Sequence, residues 1–335
     1  MRKGVVDKKN LRKMLAAAAK HATVYAPVRR ADGIALAALE AADEVALDYL
    51  NFRLPPKRFF FPPGETIGTY DGETMSATLP SEGDFVLFGV RPCDARSLLY
   101  LDRVFLEDGC VDPYYAARRE RAMIVSVSCR RPARTCFCSS LGGSPSDPAG
   151  SDVLAQDLGG AMLFEAVTAK GDALLKKHAR LLRVPTDEEL AAKDSAATAA
   201  AKAQSPVPAA GVAGKLAGKF ASPVWEEFAM SCLGCGTCAY LCPTCHCFDL
   251  HDEKGRSGGR RVRAYDTCML CAFAREASGH NPRGAHGARM RQRIMHKFQY
   301  TVENFDRVFC VGCGRCVANC PSNIDIRETL AEVGR

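Results

Sequence analysis

The chain has 335 residues and a formal net charge of +7, and 17 of its residues are cysteines. That length predicts roughly two domains, and a chain with 47% apolar residues can bury a core without covalent crosslinks. The charged N-terminus lacks the apolar run of a secretory signal, and no window reaches the ~18 apolar residues of a membrane span. These features exclude a secreted disulfide scaffold, and we expect a cytoplasmic protein without a membrane partner, whose reduced cysteines are metal ligands or reactive thiols.

The N-terminal part of the chain, residues 1–190, predicts a mixed α/β (or α+β) domain. Asp7 is expected to cap a helix that runs through about residue 21, because apolar side chains recur there on one face. Short apolar runs predict buried strands at residues 85–90, 122–129 and 161–167, with a helix near residues 95–105 between the first two.

Residues 191–222 predict a linker between two domains, because an alanine-rich stretch is interrupted there by prolines and glycine. The string at residues 211–216 superficially suggests a phosphate-binding loop. The pattern fails because it requires a glycine where Ala209 stands and a hydroxyl residue where Leu216 stands. No G-x-G-x-x-G string follows a predicted strand either, so we expect no flavin or nicotinamide site in this chain.

The C-terminal part, residues 223–335, contains the motif C-x2-C-x2-C-x3-C-P twice. The cysteines are Cys232, Cys235, Cys238 and Cys242 in the first copy, and Cys310, Cys313, Cys316 and Cys320 in the second. Thiolates at this spacing can surround one corner of a cubane cluster if the backbone curls tightly, and the intervening glycines permit that curl by reaching positive φ. A pair of zinc sites is the alternative, but structural zinc typically uses two ligand pairs separated by a longer gap.

Both motifs resemble the [4Fe–4S] sites of bacterial ferredoxins, in which the fourth cysteine of each motif serves the other cluster. The resemblance implies a mainly α, bacterial-ferredoxin-like dicluster domain. It implies one cluster with the ligands Cys232, Cys235, Cys238 and Cys320, and a second with the ligands Cys310, Cys313, Cys316 and Cys242.

Residues 243–309 form a long insertion, because 67 residues separate Cys242 from Cys310 where a plain ferredoxin has a short connection. Between Lys254 and Lys297 the insertion carries eleven cations against two acidic residues. We expect these cations to neutralise nearby clusters or to dock an acidic partner. Nucleic-acid binding is the alternative, but the segment contains no helix-turn-helix, RRM or OB pattern, so we expect no nucleic-acid partner.

Several other strings carry a closer resemblance to one group of proteins. They are Arg91-Pro-Cys93-Asp94, residues 112–119, Thr135-Cys136-Phe-Cys138, residues 242–249 and residues 278–283. Together they resemble the beta subunit of cytoplasmic sulfhydrogenases, the ferredoxin-like subunit of anaerobic sulfite reductase, and the iron–sulfur subunit of flavin oxidoreductases with heterodisulfide-reductase-like partners. One departure lies at residues 265–268, where the family usually has tryptophan first and serine before the cysteine.

This resemblance implies an iron–sulfur electron-transfer subunit rather than a self-sufficient enzyme. Members of the group pass electrons between a subunit that binds FAD and NAD(P)H and a catalytic redox subunit. The implied catalytic partner is therefore a hydrogenase, a sulfite reductase or a heterodisulfide-reductase-like subunit. Two other classes stay open: catalysis on a sulfur substrate at the N-terminal cysteines, and a zinc-dependent binding module.

Nine cysteines lie outside the eight assigned positions. Two further cluster sites are predicted, one from Cys245, Cys247, Cys268 and Cys271, and one from Cys93, Cys129, Cys136 and Cys138. His280 is an alternative fourth ligand of the first set. In the second set, two cysteines follow adjacent predicted strands whose ends converge in space. The competing interpretation is that these are buried free thiols, since unpaired cysteine is among the most buried residue types. Cys110 has no near partner and is interpreted as structural.

Overall fold

The computed structural model describes residues 1–31, 33–107 and 109–333. Within these ranges the strands are β1 (Lys3–Asp7), β2 (Thr23–Arg30), β3 (Gly33–Ala38), β4 (Gly64–Asp71), β5 (Thr74–Ala77), β6 (Phe85–Val90), β7 (Ala122–Val127), β8 (Val153–Asp157), β9 (Ala161–Ala166), β10 (Phe248–Gly255) and β11 (Gly258–Tyr265). The α-helices are α1 (Lys8–Ala18), α2 (Pro92–Phe105), α3 (Pro113–Arg121), α4 (Ala169–Lys177), α5 (Asp187–Lys202), α6 (Val212–Ala217), α7 (Val224–Ala229), α8 (Thr237–Tyr240), α9 (His286–Met295), α10 (Thr301–Phe305), α11 (Arg315–Ala318) and α12 (Ile326–Val333).

A seven-stranded sheet of order β1-β9-β8-β7-β6-β2-β3 forms the centre of the N-terminal part. Its four middle strands β8, β7, β6 and β2 are parallel neighbours, and the outer pairings are antiparallel. The carboxyl ends of β6 and β7 therefore meet at one edge of the sheet. Polar or reactive side chains that follow those two strands are brought together there.

Helices cover both faces of this sheet. Along β6, Val86 and Phe88 pack in one core with residues of α1 and α4, whereas Phe85 and Leu87 pack in another core with residues of α2 and α3. Successive strand residues point to opposite faces, so a strand covered on both sides is apolar throughout. The N-terminal part is therefore a layered α/β structure.

Several predicted elements are confirmed. The strands expected at residues 85–90, 122–129 and 161–167 are β6, β7 and β9, and the intervening helix is α2, which begins at Pro92. The first helix follows Asp7 as expected, although the Asp7 side chain makes no capping hydrogen bond. The other strands were not predicted.

The insertion contributes a hairpin, β10–β11, to a second antiparallel sheet of order β10-β11-β4-β5. Strand β11 pairs with β4 from the N-terminal part, with a register shift between Arg261 and Val262. At the base of the hairpin, the buried Arg263 guanidinium bonds the carboxylates of Glu65 and Asp112. Asp112 also accepts a hydrogen bond from the Tyr115 N–H and so caps α3. The insertion is thereby fixed to the α/β part of the molecule.

The region predicted as a linker contains two helices. Helix α5 has a capping box formed by Thr186 and Glu189 and extends to Lys202. Helix α6 buries Val212 and Leu216 in the C-terminal core, where they pack with Trp225 and residues of α9 and α12. Residues 191–222 are thus partly helical and partly packed, and the domain boundaries themselves stay a prediction.

Among the described residues, no helix is both long and apolar enough to cross a membrane.

A buried ion pair joins the second cysteine motif to the α/β part. Arg315, at the start of α11, bonds both carboxylate oxygens of Asp94 at 2.6 and 2.7 Å. Its remaining donors bond the Phe52 carbonyl at 2.8 Å and the Asn51 side chain at 2.6 Å. Asp94 is completely buried and Arg315 is 3% exposed. Because both charges are desolvated, removal of either leaves the other unpaired in a low-dielectric interior.

Replacing Asp94 with asparagine is expected to destabilise the fold by about 3–5 kcal/mol, because the Arg315 charge stays buried without its partner. The matched control is Asp48→Asn, which breaks the exposed Arg29–Asp48 pair and should change stability little. Urea unfolding of the two variants and the parent chain measures the difference. Similar losses in the two variants would contradict the role given to the buried pair.

Candidate metal centres

The first cysteine motif curls around a small cavity. The cysteines that line it are Cys232, Cys235, Cys238, Cys316 and Cys320. Gly234 and Gly236 have φ values of +65° and +74°, which turn the backbone toward the sulfurs. The Gly234 N–H donates to Cys232 Sγ at 3.4 Å, and the Ile324 N–H donates to Cys320 Sγ at 3.3 Å. Apolar side chains of α9 and α12 complete the wall of this first cavity.

The first cavity lies at the surface of the protein. Cys235 is exposed, and its Sγ lies 3.3 Å from the Thr237 hydroxyl. This hydrogen bond lowers the pKa of Cys235 below its ordinary value. The adjacent side chains Met230 and Leu233 are 86% and 69% exposed. An apolar rim therefore surrounds the outermost cysteine.

A second cavity is lined by Cys242, Cys310, Cys313 and Cys316. The structure thus places the last cysteine of the first motif with the second loop, and Cys320 with the first loop. The two cavities share Cys316, Arg293 and Ile326 as wall residues, so they are direct neighbours. This exchange of fourth cysteines matches the arrangement that the ferredoxin resemblance implies.

Two buried cations accompany these cavities. Lys297 Nζ donates to Cys242 Sγ at 3.4 Å, to Thr244 Oγ1 at 3.0 Å and to the Phe309 carbonyl at 2.8 Å. Burial opposes the charge on Lys297, but the negative charge of Cys242, Cys245 and Cys310 outweighs it and raises the pKa of Lys297. Burial likewise acts against Arg293, whose pKa is nevertheless raised by Cys238 and Cys316. Positive charge is therefore held next to the sulfurs.

The donor set and its surroundings fit a cubane cluster in each of these two cavities. Each offers at least four thiols, and the buried cations suit the net negative charge of a thiolate-bound cluster. Arg293 lines both cavities, and its Nε is buried without a hydrogen-bond partner among the described residues. Such an orphaned donor calls for an acceptor in the adjoining space. Within the described ranges, no three histidine, cysteine or acidic side chains lie close enough together to hold a single metal ion.

The eleven cations of the insertion do not form one surface. Arg260 and Arg261 pair with Glu253 and Asp252 across the hairpin. Arg263 is buried with its two acidic partners, and the cations on α9 and beyond, Arg289, Arg293 and Lys297, are also buried. The run along the sequence is therefore divided in space between structural ion pairs and the walls of the cavities.

A third cavity gathers the four N-terminal cysteines Cys93, Cys129, Cys136 and Cys138. Cys93 lies in the first turn of α2, Cys129 follows β7, and the other two lie on the next loop. Burial raises the pKa of the Cys129 thiol to about 12 and also raises that of Cys138. The expected convergence at the strand ends is confirmed.

The other predicted set is distributed differently. Hydrogen bonding from Cys268 lowers the pKa of Cys247, and hydrogen bonding from Cys245 lowers that of Cys242. Cys271 is exposed, and its Sγ lies 3.9 Å from the Gly284 carbonyl. His280 is exposed and closes a turn through its backbone with Glu276. A common site for Cys245, Cys247, Cys268 and Cys271 stays a prediction. Cys110 is exposed.

The individual roles of the buried cations were missed at the level of sequence. Arg289, Arg293 and Lys297 recur every four residues, and Met290, Ile294 and Phe298 accompany them at the same spacing. Residues four apart share one face of a helix, so this pattern indicates a face that is inside the protein. A second missed residue is Lys57, which is buried and donates to the Cys245 carbonyl at 2.8 Å.

Comparison with known proteins gives two matches. A family of 4Fe-4S dicluster domains matches residues 231–324. The chain is also 36% identical over 313 residues to sulfhydrogenase 2 subunit beta of Pyrococcus furiosus, and the alignment covers 92% of each chain. The C-terminal part is therefore a 4Fe-4S dicluster domain, in agreement with the sequence prediction.

Gly312 and Gly234 occupy equivalent places in the two motifs, with φ of +62° and +65°. A Cβ at Gly312 would lie 2.5 Å from the backbone of Phe137 and Cys138, whereas one at Gly234 meets nothing closer than 3.8 Å. Gly234→Ala is expected to cost roughly 1–2 kcal/mol for the left-handed backbone alone. Gly312→Ala should cost clearly more, measured as the loss of free energy of unfolding. Equal losses would contradict the close contact.

Proposed function

The chain belongs to the family of iron–sulfur beta subunits of sulfhydrogenases, and we propose that it relays electrons between a subunit that binds FAD and NAD(P)H and a catalytic redox subunit. Bound [4Fe–4S] clusters supply the one-electron carriage that this role needs. The observation that carries the proposal is the pair of adjacent cysteine cavities, which exchange their fourth cysteines and share Cys316 and Arg293.

The eight motif cysteines would hold two clusters. The first set is Cys232, Cys235, Cys238 and Cys320, and the second is Cys310, Cys313, Cys316 and Cys242. The backbone N–H groups of Gly234 and Ile324 donate to sulfurs of the first set. Apolar side chains of α9 and α12 exclude water from the inner walls. The chain thereby supplies thiolates, amide donors and a largely dry environment, which are the means by which a protein sets cluster potentials.

The two sites differ in charge and exposure. Cys242 of the second set accepts a hydrogen bond from the buried ammonium group of Lys297, whereas Cys235 of the first set is exposed beside Met230 and Leu233. A nearby positive charge favours the reduced, more negative form of a cluster. We infer that the second site has the higher potential and that the first site faces a partner subunit.

A second candidate function is catalysis on a sulfur substrate at the N-terminal cysteines. One observation favours it: a cavity of about 550 Å³ at the carboxyl edge of the seven-stranded sheet. This cavity shares Leu50 and Arg91 as wall residues with the cavity of Cys93 and Cys129. A small anionic substrate could approach the cysteines from this side. The relay stays the preferred proposal, because the motif cysteines lie in their own separate cavities.

The relay is tested by purifying the tagged full chain without oxygen, together with the proteins that bind it. We expect an FAD-containing partner and a second redox partner. NAD(P)H should bleach the visible absorption of this chain only while the flavin partner is present. Reduction of the isolated chain by NAD(P)H would contradict the proposal. Turnover of sulfite by the isolated chain would favour the catalytic candidate instead.

Lys297→Met is expected to lower the potential of the second cluster by tens of millivolts, because about 59 mV corresponds to ~1.4 kcal/mol for one electron. The matched control, Lys254→Met, removes the same charge from the exposed turn of the hairpin and should leave both potentials unchanged. Redox titration followed by electron paramagnetic resonance measures both. An unchanged potential in Lys297→Met would show that the buried ammonium does not act on the cluster.

A further inference from the structure

We propose that Cys93, Cys129, Cys136 and Cys138 bind a third iron–sulfur cluster in the α/β part of the molecule. The proposal goes beyond the two clusters of the dicluster domain and does not rest on the relay role. It rests on how these four side chains converge, on the charges around them, and on their contact with the second cavity.

The convergence follows from the sheet topology. Strands β6 and β7 are parallel neighbours, so the residues after them meet at the same edge. Cys93 and Cys129 occupy these two positions, and the loop after β7 returns Cys136 and Cys138 to the same cavity. Free buried cysteines ordinarily pack as small apolar side chains in a core with few voids. Four thiols from three separate segments around one cavity are instead the donor set of an iron–sulfur cluster.

The surroundings suit a negatively charged guest. The buried Arg91 side chain lines the cavity and is fixed by the carbonyls of Val127 and Ser128 at 3.2 and 3.1 Å. Cys93 lies in the first turn of the 14-residue helix α2, whose N-terminal end carries partial positive charge. The one acidic neighbour of Cys93 in sequence, Asp94, is neutralised by Arg315. The Gln204 amide donates to Cys138 Sγ at 3.1 Å.

The third cavity adjoins the second. Cys313 lines both of them, and Cys93 and Cys313 pack against the same small cluster of Tyr100, Phe309 and Val311. The Phe137 N–H donates to the Gly312 carbonyl at 2.9 Å, and Cys136 Sγ lies 3.9 Å from the Cys313 carbonyl. Since the first and second cavities share Cys316, the three cavities form one continuous row.

Iron and acid-labile sulfide analysis of the full chain, purified without oxygen, tests the third site. A third cluster predicts about twelve irons per chain for a [4Fe–4S] centre, or about ten for a [2Fe–2S] centre, instead of about eight. The double variant Cys129→Ser/Cys136→Ser should return to about eight and keep the resonance signals of the two motif clusters. Cys110→Ser, at an exposed cysteine, is the control and should retain the parent iron content.

About eight irons in the parent chain would overturn the third cluster while leaving the two motif clusters intact. One zinc ion per chain that is lost in the double variant would also overturn it. If the double variant does not fold, the iron count of the parent chain still decides the question. Fewer than about eight irons would instead count against the dicluster assignment, so the two proposals fail in distinguishable ways.

Discussion

The buried ion pair between Asp94 and Arg315 is the contact on which the arrangement of the cysteine cavities depends. Asp94 follows Cys93 directly, and Arg315 stands between Cys313 and Cys316. The pair therefore joins the wall of the third cavity to the walls of the other two. Because neither charge can reach water, the geometry tolerates little displacement. The close backbone approach of Gly312 to Cys138 adds a steric limit at the same junction.

This junction makes two nearly identical motifs unequal. In the first motif the position of Arg315 is held by Thr237, which bonds only its neighbour Cys235, and the loop lies at the surface. In the second motif the loop is enclosed by the α/β part, and Lys297 reaches Cys242 from the other side. Burial and local charge are two of the terms that set cluster potentials. A repeat in sequence thus gives two electrostatically distinct sites, as a directional carrier requires.

The sequence predicted what depends on local pattern and missed what depends on distant pairing. Apolar runs identified β6, β7 and β9 because strands covered on both faces are apolar throughout. The hairpin β10–β11 was missed because β10 is exposed along its length and is rich in charge. Motif spacing identified the eight cysteines, and the strand ends identified Cys93 and Cys129. No local signal could pair Arg315 with Asp94, since 221 positions separate them.

Iron in the cysteine cavities, with the fourth cysteines exchanged between the motifs, is the condition on which the proposed electron relay depends. Anomalous diffraction at the iron absorption edge, from crystals of the chain grown without oxygen, tests it most directly. We predict iron between Cys232 and Cys320, between Cys310 and Cys242, and beyond Cys313 at Cys93 and Cys129. Iron that joins Cys242 to Cys232, or iron absent from the motif cavities, would contradict the proposed arrangement.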